Sequence, residues 1–403
     1  MTGTQRRILT ELLSLPTAPF CEQAARHYLR RFVARRPALR LREDRFGNTR
    51  LTYRGRRGRT ALRPVLLAAH LDHPGFVATG MDGPRRVRAD FRGWVDRDYF
   101  LGQRVRFFTE AGAVVGTIDS VDGRRTRRAR RMNSDPRVQS LRNEQPPERV
   151  TLRVARPVPR GAIGMWDFPG VRFRGSRIEA RACDDVAGAA AILCALDELC
   201  RTRAAGECHA LFTRAEEVGF VGALAAVTDG GLPRRALIVA VECSRAIHGA
   251  TLGAGPILRV GDKATVFSPG LTAHCRAVAE ELAARDRRFA FQRRLMDGGT
   301  CESSVYCHFG YDATGLCLAL ENYHNMDRAR RRIAPEIIDA RDFENLVRWF
   351  VALVSSRRAY RGDHPGLDRR LGLLLRQHRV RLEATAALSA TSAKPIARRA
   401  AGQ

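Results

Sequence analysis

Five apolar runs in this chain each lead to a carboxylate or an imidazole. Val65-Leu66-Leu67-Ala68-Ala69 stops at His70-Leu71-Asp72, and Arg181-Ala182-Cys183 leads into Asp184-Asp185. His209-Ala210-Leu211-Phe212-Thr213 runs to Glu216-Glu217, Leu237-Ile238-Val239-Ala240-Val241 to Glu242, and Leu316-Cys317-Leu318-Ala319-Leu320 to Asn322-Tyr323-His324. Strands that end at acids and imidazoles place a site along the carboxyl edge of a sheet. Two histidines and three carboxylates are the donor set that two zinc-like ions sharing one bridging carboxylate require.

The order of elements around these runs is that of an α/β protein. Apolar positions at helical spacing occupy residues 5–14 and 22–35, separated by Pro16-Thr17-Ala18-Pro19. Asp44-Arg45-Phe46-Gly47-Asn48 is a turn signal between two short strands. From about Phe76 to Ile163 short alternating runs separated by Gly and Asp read as a small all-β unit. Helix–strand alternation follows, with helices expected over 187–200, 219–227, 272–284 and 342–354 and strands over 208–214, 236–242 and 315–320. The expected fold is a mixed sheet sandwiched by helices, with an inserted β-barrel-like domain. The catalytic part is expected over 1–77 and 166–355 and the insertion over 78–165. A basic extension covers 356–403, in which Leu371, Leu373, Leu374, Leu375 and Leu382 suggest a partner-facing helix and the last twenty residues suggest disorder.

At 403 residues the chain can bury a substantial core. No apolar run is long enough to span a membrane, and the N-terminus opens as an amphipathic pattern without a signal core. Ten scattered cysteines with no CxxC pair suggest free thiols in a reducing cytoplasm. The net charge of +28 is carried almost wholly by arginine, since lysine stands only at Lys263 and Lys394. Such a charge suits either nucleic-acid binding or an arginine-rich solvated surface. The run Arg124–Arg131 reads as a surface loop with some capacity for polyanions, whereas Arg328, Arg330, Arg331 and Arg332 follow His324 closely enough to attract acidic peptides.

Each motif also has a bland reading. A histidine after an apolar strand is often structural, and Asp184-Asp185 before an apolar helix with Gly188 can be an N-cap plus first-turn charge. Glu216-Glu217-Val218-Gly219 can be a Glu-rich helix start; alternatively one carboxylate ligates a metal while its neighbour takes a proton from water. Asp72, two residues beyond His70, is placed to accept from the second ring nitrogen and fix the tautomer.

Taken in order, these pieces resemble the glutamyl and deblocking aminopeptidases, the TET-type co-catalytic zinc metallopeptidases. The resemblance runs from about Ile8 to Val354 and includes Asp44 with Gly47-Asn48, His70-Leu71-Asp72, Asp184-Asp185, Glu216-Glu217-Val218-Gly219 with Gly222-Ala223, Leu252–Pro256, Gly298-Gly299-Thr300 and Tyr323-His324. It implies that His70 and Glu217 hold one divalent ion and Glu242 and His324 the other. It also implies that Asp184 bridges them, Glu216 is the general base and Asp72 stands behind His70, with a cis Asp184–Asp185 peptide. The ions are expected to be zinc, with cobalt or manganese also suited to these donors, the substrates peptides and the protein a homo-oligomer.

Two departures stand out. The family usually has Asp where Glu242 stands, and Asp after Gly-Gly-Thr where this chain has Cys301 followed by Glu302. They leave open a related dinuclear amidohydrolase acting on N-acyl amino acids. The arginine content leaves open a non-catalytic, nucleic-acid-binding derivative of the fold.

Overall fold

The computed structural model describes residues 1–55, 63–122, 149–229, 231–356, 358–360 and 365–391. The run Arg124–Arg131 therefore lies outside the described residues. Residues Met1–Tyr360 form one compact unit; a second begins at Arg361.

The first unit is built on an eight-stranded mixed sheet in the order Leu39–Glu43, Thr49–Arg54, Glu207–Thr213, Val65–His70, Leu237–Arg245, Asp312–Leu320, Ile257–Arg259 and Gln292–Arg294. The four central strands are mutually parallel, so their carboxyl ends lie along one edge. Those strands read as unbroken apolar runs because both faces are covered. Successive side chains of a strand point to opposite faces, and the packing divides accordingly. Leu67, Ala69, Val239 and Val241 enter the core under the helices Gly3–Leu13, Val186–Thr202 and Ala340–Ser355. Leu66, Ala68, Ile238 and Ala240 pack with Phe220, Ala223, Val305 and Tyr306 on the other face, where Val221–Thr228 and Glu302–His308 lie. The helix Val186–Thr202 is apolar nearly all round and correspondingly buried.

Six strands between Gly75 and Trp166 close into a barrel, in the order Gly75–Met81, Arg86–Arg92, Arg149–Val154, Val114–Asp122, Arg104–Phe108 and Ile163–Trp166. Their alternating texture fits a barrel whose inner face alone is dry: Phe76, Phe91, Phe100 and Trp166 fill it with edge-to-face and tilted ring contacts.

The expected elements are present within a few residues, but the short ones were not legible. The short strands Ile257–Arg259 and Gln292–Arg294, the three-stranded sheet of Arg172–Arg174, Arg177–Ala180 and Glu336–Asp339, and the seven-residue helix Glu302–His308 have no periodicity long enough to read. The run ending at Glu242 continues as strand to Arg245, which puts Glu242 inside the strand.

In the second unit Pro365–Thr391 is a helix, on which Leu371, Leu373, Leu374, Leu375 and Leu382 are exposed. The chain expected to be disordered from about residue 384 is thus helical as far as Thr391, and residues 392–403 lie outside the described part. No described helix is long and apolar enough to cross a membrane.

Candidate active site

The carboxyl edge of the central strands is where the acids and imidazoles meet. His70 closes its strand in register with Thr213, the last residue of the neighbouring one, and the chain after Thr213 turns through Glu216–Val218. Glu242 projects from the strand on the other side of Val65–His70, and His324 follows the strand Asp312–Leu320. Asp184 enters from the loop before Val186–Thr202, through a cis peptide to Asp185. Asp185 stands at the N-cap position of that helix without a side-chain capping bond, and Gly188 leaves room for it, since a Cβ there would lie 2.2 Å from Asp185 Oδ1.

All five expected ligands and Glu216 converge, and all are buried. His70 Nε2 lies 3.7 Å from Glu242 Oε2 and 3.8 Å from both Asp184 Oδ1 and Glu216 Oε2. His324 Nε2 lies 3.1 Å from Glu217 Oε2 and 3.8 Å from Asp184 Oδ2. Asp184 thus presents one oxygen to each imidazole. Among the described residues three groups capable of holding an ion contain it, and two of these each include an imidazole: His70–Asp184–Glu242 and Glu217–Asp184–His324.

The family resemblance implies His70 with Glu217 and Glu242 with His324; among the described residues His70 also groups with Glu216 and Glu217, whereas no such group joins Glu242 to His324. Glu216 and Glu217 are consecutive in a tight turn, so their side chains diverge: Glu216 goes toward His70 and Glu217 toward His324. Asp72 lies behind His70 and divides its acceptors. The His70 Nδ1–H donates to the Asp72 backbone carbonyl at 3.0 Å, while the carboxylate, 3.6 Å from Nδ1, accepts the backbone N–H groups of Glu216 (3.0 Å) and Glu217 (3.1 Å). Asp72 holds the two-glutamate turn more directly than it holds the ring.

The residues fit a pair of cations. Glu217 Oε1, Glu242 Oε1 and His324 Nε2 are buried without a hydrogen-bond partner, a costly state for polar atoms. His324 Nδ1–H donates to the Trp94 carbonyl at 2.6 Å, which leaves the Nε2 lone pair facing Glu217 and Asp184. Without cations two of the acids, Asp184 and Glu216, resist ionisation. Burial first, and the neighbouring Glu242 and Glu217 second, raise the Asp184 carboxyl far above its usual range. Burial also raises Glu216, against the opposing pull of His70. For Glu217 burial is outweighed by His324, and its carboxyl is lowered.

Beside the cluster lies a cavity of about 350 Å³ bounded by Trp94, Glu242, Ser244, Arg259, Met296, Tyr323 and Arg328. Arg259 is 4% exposed. Its Nη1 donates to Ser244 Oγ at 3.2 Å, its Nε has no partner, and among the described residues no carboxylate lies within ion-pair distance. Of the arginines after His324, Arg330 and Arg332 bind Asp327 on the hairpin that carries them, and only Arg328 reaches the cavity.

Sequence reading missed Trp94, Arg259, His73, Asn325 and Glu336, all of which bound the cluster or support it. His73 stands in plain view after Asp72. Glu336 opens a four-residue strand behind Pro335 and carries no local signal.

Residues 47–347 match the family model described as M42 glutamyl aminopeptidase. A relative from Acetivibrio thermocellus, provisionally named an aminopeptidase, is 25% identical over 265 residues, covering 62% of this chain and 71% of its own. Among solved structures, a TET aminopeptidase from the marine archaeon Thaumarchaeota archaeon SCGC AB-539-E09 superposes with a TM-score of 0.69 at 18% identity, covering 88% of this chain and 97% of that one. An aminopeptidase from Desulfurococcus kamchatkensis gives 0.68 at 21% identity, covering 88% and 95%. The TET1 peptidase of Pyrococcus horikoshii, which can assemble into a tetrahedron or a large octahedral shell, gives 0.67 at 20% identity, covering 87% and 99%. At these identities the structures speak for the fold; the family match, spanning most of the sequence, speaks for descent. The chain belongs to the M42 glutamyl aminopeptidase family and is a peptidase.

Proposed function

We propose that this protein is a dinuclear metal-dependent aminopeptidase that releases N-terminal residues, acidic ones foremost, from peptides. The observation that carries the reading is the Asp184 carboxylate, which offers one oxygen to a group with His70 and Glu242 and the other to a group with Glu217 and His324. Zinc suits these nitrogen and oxygen donors, as do cobalt and manganese. Bound there, two such ions would supply Lewis-acid polarisation of the scissile carbonyl and a more acidic water. Glu216, buried beside His70 yet outside the groups that share Asp184, is the general base. It takes a proton from the attacking water as the C–O bond forms and hands it to the departing amine as the C–N bond breaks. Asp72 keeps Glu216 and Glu217 in register by accepting both their backbone N–H groups.

The cavity beside Glu242 is the site for the first side chain of the peptide. A buried guanidinium without an ion pair is incompletely compensated, and a Glu or Asp side chain entering the cavity supplies Arg259 with one. The filled ligand set supports catalysis over a binding-only derivative of the fold. The family, together with the assemblies of the structural relatives, supports a homo-oligomer. The ten free cysteines support a reducing, cytoplasmic compartment.

The test is Glu216→Gln. It should retain both metal equivalents by elemental analysis and lose turnover by about 10²–10⁴-fold, the usual worth of a general base. Undiminished turnover, or loss of a metal equivalent, excludes the assigned role.

A further inference from the structure

One buried acid beneath the cluster has no part in the chemistry described above. Glu336 is fully buried and its carboxylate faces backbone N–H groups. Its Oε2 accepts the N–H of Cys183 at 2.7 Å and of Asp184 at 3.1 Å; its Oε1 accepts the N–H of His324 at 2.9 Å. One carboxylate therefore ties the chain that carries the shared ligand to the chain that carries the terminal imidazole.

A second layer locks this clamp. His73 Nδ1 lies 2.7 Å from the Asp184 carbonyl oxygen and Nε2 lies 3.0 Å from Asn325 Oδ1. The Asn325 amide is oriented by its own donations, from Nδ2 to the carbonyls of Arg181 and Ala334. Both ring nitrogens of His73 thus face acceptors, and Glu336 Oε2 lies 4.0 Å from Nδ1. His324 and Asn325 are held at positive φ, 52° and 64°, where non-glycine residues need support from their surroundings.

We propose that Glu336 is a positioning residue for the metal centre, which it holds asymmetrically. The group Glu217–Asp184–His324 depends on it through two of its three members, and the group His70–Asp184–Glu242 through only one. The other half has its own support, since the Asp72 carbonyl fixes His70 and the Cys243 N–H donates to Asp184 Oδ1 at 3.2 Å. Removing Glu336 should therefore loosen one equivalent of metal far more than the other. This inference rests on the dinuclear reading proposed above.

The experiment is a calorimetric titration of the metal-free full-length protein with Zn²⁺, with bound metal counted by elemental analysis, for the parent, Glu336→Gln and Glu336→Asp. Glu336→Asp keeps the charge beside His73 but is one methylene too short to reach all three N–H groups, which guards against a misfolded Gln variant. The parent should bind two equivalents. Both variants should bind one equivalent as the parent does and the second about 10–100-fold more weakly, the usual cost of losing an outer support of a metal ligand. A role confined to folding would weaken both equivalents together. Equal weakening of both, or two unaltered equivalents in Glu336→Asp, overturns the assignment of Glu336. A parent that binds fewer than two equivalents overturns the dinuclear reading instead.

Discussion

Glu302 offers a quantitative test of the electrostatics beneath the site. It stands one position beyond the place where the family carries Asp, opens the helix Glu302–His308 and is completely buried, and neither carboxylate oxygen finds a hydrogen-bond partner. Burial above all, with Glu242 and Asp72 adding repulsion, lifts its carboxyl from 4.5 to about 7 against the opposing pull of His70. At about 1.4 kcal/mol for each tenfold in proton affinity, that displacement is worth roughly 3 kcal/mol. The folded state binds this proton more tightly than the unfolded chain does. The stabilisation is therefore complete below pH 4.5 and is lost as pH rises through about 7. Glu302→Gln removes the titration while keeping the shape. Any fixed cost of burying the amide is independent of pH. In metal-free protein, urea unfolding of parent and variant across this range should show the variant gaining roughly 3 kcal/mol over the parent between about pH 4 and pH 8. If zinc added to the protein binds at the cluster as proposed, the nearby cations favour the ionised carboxylate and the gain should shrink. A parent–variant difference that stays level across the range in metal-free protein would show that Glu302 is not a desolvated acid.

Other expectations follow from the same geometry. Arg259→Gln should lower kcat/KM for glutamyl anilide at least about tenfold while leaving leucyl anilide within about threefold, as expected when a charged substrate loses a buried partner; a uniform loss on both would refute the specificity role. N-acyl amino acids run alongside should remain uncleaved, and their turnover would favour the amidohydrolase alternative. Gly188→Ala brings a Cβ to 2.2 Å from Asp185 Oδ1, so it should cost about 1–3 kcal/mol of stability, an ordinary overpacking penalty read by thermal melting. In the metal-free protein burial opposes the charged His70 ring but Glu216, Asp72 and Glu242 outweigh it, so its proton affinity is raised. Zinc must displace that proton. Affinity should fall as pH is lowered, with proton release measurable by calorimetry in buffers of different ionisation enthalpy; binding without proton release would contradict it.

The α/β order, the sheet with helices on both faces and the β unit between Gly75 and Trp166 were legible because each rests on long repeating patterns. Val65–Ala69 and Leu237–Val241 are apolar throughout since both faces of those strands are covered, and the barrel strands alternate since only one face is dry. The candidate ligands were legible because each ends or closely follows an apolar run. Glu336 and Arg259 were not, because their signal is a distance across the fold: Glu336 reaches Cys183 and His324, and Arg259 reaches Ser244.

What the chain's own order of residues determined is therefore which groups arrive at the sheet edge, since strand periodicity and the ends of apolar runs are local properties. Which imidazole faces which carboxylate was decided only by the tertiary structure. There the turn at Glu216–Glu217 sends neighbouring side chains to opposite halves of the centre, and the Asp72 and Glu336 carboxylates gather backbone N–H groups from distant segments. Such pairings depend on differences of an ångström or two between packed segments, and no local pattern of residue types records them.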